Sequence, residues 1–244
     1  MKKLILPLFV LLSLTSCAQQ KSTSGSDILK KAGGIFGKKS GTGLSNEEIV
    51  AGLKEALSVG ARNSSEKLSA ADGFFGNALI KVLMPEEAKK VESTLRNIGL
   101  GNMVDKAILS MNRAAEEASK SAAPIFVDAI RSMSIQDAFG ILKGNDSAAT
   151  SYLKGRTSLQ LTDAFKPVIE SALEKTNATK HWKDVFETYN KLPTTFNKVN
   201  TDLSGYVTEK ALTGLFYQVA LEEQKIRKDP AARVTDILRK VFGS

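Results

Sequence analysis

Few side chains in this 244-residue chain are of the kinds that do covalent or proton-transfer chemistry, and their spacing narrows the choice further. His181 is the sole histidine. Its i,i+3 relation to Asp184 would put two metal ligands on one helical face, but no third or fourth ligand stands nearby, so no metal site is expected. A Ser-His-Asp arrangement would also have to use His181, and no Gly-x-Ser-x-Gly elbow presents a serine. Carboxylates occur as the neighbouring pairs Glu47-Glu48, Glu86-Glu87, Glu116-Glu117 and Glu222-Glu223. Adjacent helical residues point about 100° apart, so no such pair converges on one scissile bond. Complementation of a helix dipole in the first turn accounts better for the first two pairs. Gly33-Gly34-Ile35-Phe36-Gly37-Lys38-Lys39-Ser40 has the look of a phosphate loop. Ala32 stands where the first glycine of that loop belongs, Lys39 stands where Ser or Thr belongs, and no strand precedes it, so no cofactor is expected.

The most suggestive run is Met111-Asn112-Arg113-Ala114-Ala115-Glu116, where polar groups of fixed hydrogen-bonding geometry abut small residues. Asn112 and Glu116, at i and i+4, are suited to bind a neighbouring backbone. Arg113 is suited to pair with Asp128 or another acid across a helix interface. Asn112, Arg113, Glu116 and Asp128 therefore form the candidate polar cluster, structural in the favoured reading and ligand-binding in the alternative. Lys225-Ile226-Arg227-Lys228 is a basic helix end suited to its dipole, with a phosphate site as the lesser reading.

Cys17 is the only cysteine, so a disulfide within one chain is impossible and the fold must rest on its hydrophobic core. It follows Lys2, Lys3 and an apolar run of eleven residues from Leu4 to Leu14, too short to span a bilayer as a helix. Leu14-Thr15-Ser16-Cys17 resembles the bacterial lipobox, in which the thiol receives a diacylglyceryl group and the new amino terminus is acylated. The resemblance implies attachment to a membrane through acylated Cys17, and a chain anchored to the membrane without spanning it. By the same resemblance, Ala18 and Gln19, in place of the aspartate that lipoproteins retained at the inner membrane often show, imply the outer membrane, with the domain facing the periplasm.

The formal net charge of +8 is unevenly spread. Lys2 and Lys3 lie in the leader, and the stretch from Ala18 to Ser45 holds five lysines against Asp27. From Asn46 onward 27 basic residues face 25 acidic ones. Nucleic-acid surfaces concentrate basic residues on a folded face, so no nucleic-acid partner is expected. Residues Ala18 to Ser45 are rich in Gly, Ser, Thr and Lys. As a flexible coil such a stretch spans roughly 30 Å. The expected organisation is a leader at 1–16, a lipid-anchored tether at 17–45 and a single domain at 46–244.

The elements positioning these residues follow a helical period. Ser45-Asn46-Glu47-Glu48 has capping-box spacing ahead of the stripe Ile49, Leu53, Ala56, Leu57 and Gly60. Pro85 opens a helix carrying Ala88, Val91, Leu95 and Ile98, which Gly99 ends. Val104, Ala107, Ile108, Met111, Ala115 and Ala118 mark a third helix, and Pro124 opens a fourth with Phe126, Ala129, Ile130 and Met133. Ser134-Ile135-Gln136-Asp137 caps a short fifth. Asp146 begins a helix through Tyr152 and Leu153, followed by the long stripe Leu161, Phe165, Ile169 and Leu173. Pro167 should kink that stripe, unless a helix begins there. Trp182, Val185, Phe186 and Tyr189 form a further set that ends at Pro193. Leu203 to Lys228 is the next helix, and Asp229-Pro230 opens a last one with Val234, Ile237, Leu238, Val241 and Phe242. The fold class is all-α, a compact bundle of amphipathic helices, with residues 73–84 either extended or a small hairpin.

Several stretches in order are similar to a bacterial family without assigned activity, domain of unknown function 4197. They include Gly52 to Leu57, Asp72-Gly73-Phe74 leading to Pro85, Met111 to Glu116, Pro124 to Ile130, Met133 through Leu142, Tyr206-Val207-Thr208, Lys210 to Leu212, Gly214-Leu215-Phe216 and Glu222 through Pro230. The resemblance implies an exported, largely helical single domain and supplies no catalytic residue to carry over. The expected function is a non-enzymatic envelope lipoprotein that binds an envelope protein or a small apolar ligand between helices. The alternative is a periplasmic enzyme using carboxylates, a glycan-directed hydrolase or lyase.

Overall fold

A computed structural model describes residues 45–191, 198–199, 201–229 and 239. Cys17, the leader, the tether and nearly all of the expected helix after Asp229 lie outside the described residues. Every regular element among those described is helical: α1 Asn46–Ser69, a 3₁₀ turn Glu86–Ala88, α2 Lys89–Asn97, α3 Gly101–Ser119, α4 Ala122–Arg131, α5 Ile135–Lys143, α6 Ala148–Lys175, α7 Ala178–Asn190 and α8 Leu203–Lys228.

The starts are set by local chemistry. Ser45 accepts from the Glu48 amide at 3.2 Å while the Glu48 carboxylate accepts from the Ser45 amide at 2.7 Å, a reciprocal box that satisfies two otherwise orphaned donors. Ser134 and Asp137 repeat the device at α5. Asp202 caps α8 by accepting from the Gly205 amide at 2.9 Å. At the end of α2, Gly99 takes φ +85°, a backbone conformation that glycine enters without steric cost.

Helix α6 runs unbroken through Pro167. The missing proline N–H deprives only the carbonyl of Asp163, and both residues are exposed, so water can satisfy that carbonyl. The core stripe Leu161, Phe165, Ile169 and Leu173 continues past it, fully buried.

Helix α8 packs against α6, α1 and α3, and α3 packs against α6. Helix α4 fills the angle between α1 and α6, while α7 lies on α6 and α8. Their apolar stripes meet in one core. There Phe126 and Phe216 stack edge to face, with centroids 5.9 Å apart. On α7 the rings of Trp182 and Phe186 lie 4.5 Å apart and are buried.

Residues 73–84 are not a hairpin, and no strand occurs among the described residues. After α1 the chain makes consecutive turns, with Gly76 N–H donating to the Asp72 carbonyl and Ile80 N–H to that of Asn77. It then extends towards Pro85. Burial alternates over Ile80, Val82 and Met84 as in a strand, but the partners of this segment are side chains of α3 and α8.

Candidate functional site

Helix α3 presents Asn112, Arg113 and Glu116 from a single turn towards the irregular segment between α1 and α2. Asn112 is fully buried. Its Oδ1 accepts from the Val82 amide at 2.8 Å, and its Nδ2 donates to the Val82 carbonyl at 2.8 Å and the Ile108 carbonyl at 2.7 Å. The side-chain amide thus replaces the peptide group of an adjacent strand. Without it, Val82 would carry a buried and unpaired N–H and C=O.

Glu116 is 4 % exposed. Its Oε1 accepts from the amides of Phe74 at 3.1 Å and Phe75 at 3.2 Å, and its Oε2 accepts from Arg113 Nη1 at 2.6 Å. A carboxylate withdrawn from water needs this set of donors. Arg113 reaches on to Asp72, Nη2 to Oδ1 at 2.8 Å. The hydrogen bond to Glu116, and then that to Asp72, push the Arg113 guanidinium above its ordinary value, so it stays charged.

Asp128 does not join this cluster. It lies on the solvent side of α4, its side chain 70 % exposed and 3.6 Å from Arg131. The acid that meets Arg113 is Asp72, which takes a left-handed φ of +64° in the turn after α1. Asparagine and aspartate tolerate that region better than other residues carrying a Cβ.

A second buried carboxylate was not singled out by sequence reasoning. Glu223, on α8, is 5 % exposed and binds the start of α6: Oε1 accepts from the Ala149 amide at 3.0 Å, and Oε2 from the Thr150 amide and hydroxyl at 2.8 Å each. Arg227 Nη2 bridges Glu223 Oε1 and the Ile141 carbonyl, each at 2.9 Å. An acid from another helix thereby occupies the positive end of α6. The sequence carries a signal for it. Glu223 falls four residues after Val219 on the core stripe, and Arg227 follows four later.

Other polar contacts are also structural. Asn190 grips Val199 as Asn112 grips Val82, accepting from its amide at 2.8 Å and donating to its carbonyl at 2.7 Å. Tyr206 donates its hydroxyl to the Leu83 carbonyl at 2.9 Å. Burial, with Glu209, Glu87 and Glu86 nearby, pushes that phenol up to about 12. The Asp202 carboxyl is held below its usual range by the Gly205 amide and the Ser204 hydroxyl, and Asp137 by the Ser134 hydroxyl and amide.

His181 is exposed on α7, and the side chain of Asp184 lies outside the described residues. No group of three or more His, Cys, Asp or Glu side chains is disposed to hold a metal among the described residues. A void beside Glu223, lined by Leu53, Ala56, Ile141 and Ile226 among others, measures about 10 Å³. That is room for about one water molecule.

In this helical bundle Asn112, Arg113 and Glu116 clasp the irregular segment that follows the first helix. A profile of the family described as Protein of unknown function (DUF4197) matches residues 43–243. The chain belongs to this family. The DUF4197 match takes in Asn112, Glu116, Glu223 and Arg227, so the buried polar contacts lie inside the family's region. No curated protein and no solved structure matches the chain.

Proposed function

We propose that this DUF4197 member is a lipid-anchored protein of the cell envelope, attached through Cys17 to the outer membrane, with a helical domain that serves as a non-enzymatic interaction module. The observation that supports the second half is the fate of the buried acids. General acid–base or nucleophilic work needs a carboxylate with a face open to substrate. At Glu116 and Glu223 both oxygens already accept from backbone amides and arginine. The void beside Glu223, about 10 Å³, is too small for an apolar ligand. The leader, Cys17 and the Gly/Ser/Lys-rich stretch that follows support the anchor. No helix among the described residues is long and apolar enough to cross a membrane.

Two measurements test the proposal. Labelling cells with a radioactive fatty acid should mark the wild type and leave Cys17→Ser unmarked; equal labelling overturns the anchor. Incubating purified protein with peptidoglycan sacculi should release no soluble fragments. Release that Glu116→Gln or Glu223→Gln abolishes, with the fold intact by circular dichroism, would establish the carboxylate enzyme instead.

A further inference from the structure

We draw no further inference here: the strongest candidate, the apolar corner between α2 and α3 where Ile98, Leu100 and Met103 stand exposed, carries nothing because the structure does not show what covers it.

Discussion

Asn112 and Asn190 perform one task at two places, each holding a buried valine by both its N–H and its C=O. The energetic consequence lies in what their loss would leave behind. Asn112→Ala strands the Val82 amide and carbonyl in the core, which costs about 1–3 kcal/mol for each unsatisfied group. The urea midpoint of Asn112→Ala should fall accordingly, while Asn102→Ala, on the exposed side of α3, should stay within about 0.5 kcal/mol of wild type. Equal midpoints for the two variants would refute the clamp. For the buried ion pair, Glu223→Ala removes the carboxylate that accepts from Arg227 and from two α6 amides, a loss on the order of 3 kcal/mol. In a double-mutant cycle with Arg227→Ala the two losses should fail to add, by more than about 0.5 kcal/mol. Additive losses would show that the pair does not couple. The roles of Asn112 and Glu116 as backbone binders were legible in sequence, because polar side chains on a small-residue face have few other uses. Which backbone they bind was not. Val82 lies thirty residues upstream of Asn112, and the Asp72 that meets Arg113 owes its place to a left-handed turn without periodicity.

Several helix starts and stops were legible, because caps are local chemistry: Ser45, Ser134 and Gly99 act where their neighbours in sequence say they should, and Pro85 opens the 3₁₀ turn ahead of α2. Pro124, by contrast, lies inside α4, and α6 starts at Ala148 after Ser147 rather than at Asp146. Asp202 extends the pattern. Asp202→Ala removes the acceptor for the Gly205 amide and should lower stability by about 1 kcal/mol, read from the thermal midpoint, with Asp202→Ser recovering most of it. The segment between α1 and α2 was legible only in half. Its alternating burial is genuine, but alternation reports which side chains face inward and says nothing of what satisfies the backbone. The same segment explains a glycine in the middle of α8. A Cβ on Gly214 would stand 2.6 Å from the ring of Phe74 and 3.3 Å from Ile80 Cβ, both buried, so the helix must be bare at that point. Gly214→Ala would ordinarily favour a helix by roughly 1 kcal/mol. Here overpacking, about 1–3 kcal/mol, should outweigh that gain, and chemical denaturation should find the variant less stable. A more stable Gly214→Ala would mean that Phe74 has room to move aside.

At the scale of the whole molecule, different groups should limit the stability of the bundle and its clasped segment in acid and in alkali. On the acid side, Asp202 and Asp137 are held below their ordinary carboxylate values by the donors at the starts of α8 and α5. A carboxyl depressed in the folded state contributes its full stabilisation above the unfolded value, near 4, and loses it as pH falls through the folded value. Stability should therefore decline below about pH 4, and less steeply in Asp202→Asn. On the alkaline side, Tyr206 ties the Leu83 carbonyl to α8 as a neutral donor. Its phenol is raised from an ordinary value near 10 to about 12. The folded state then keeps a proton that the unfolded chain has released, so this contribution is whole below pH 10 and disappears as pH rises through 12. Tyr206→Phe should be less stable at neutral pH, having lost its bond to Leu83, yet should lose less further stability than wild type between pH 10 and 12. Urea midpoints for the two proteins at pH 7, 10 and 11.5 separate the effects. A constant gap across all three would assign the alkaline loss to other groups and leave Tyr206 a simple hydrogen bond.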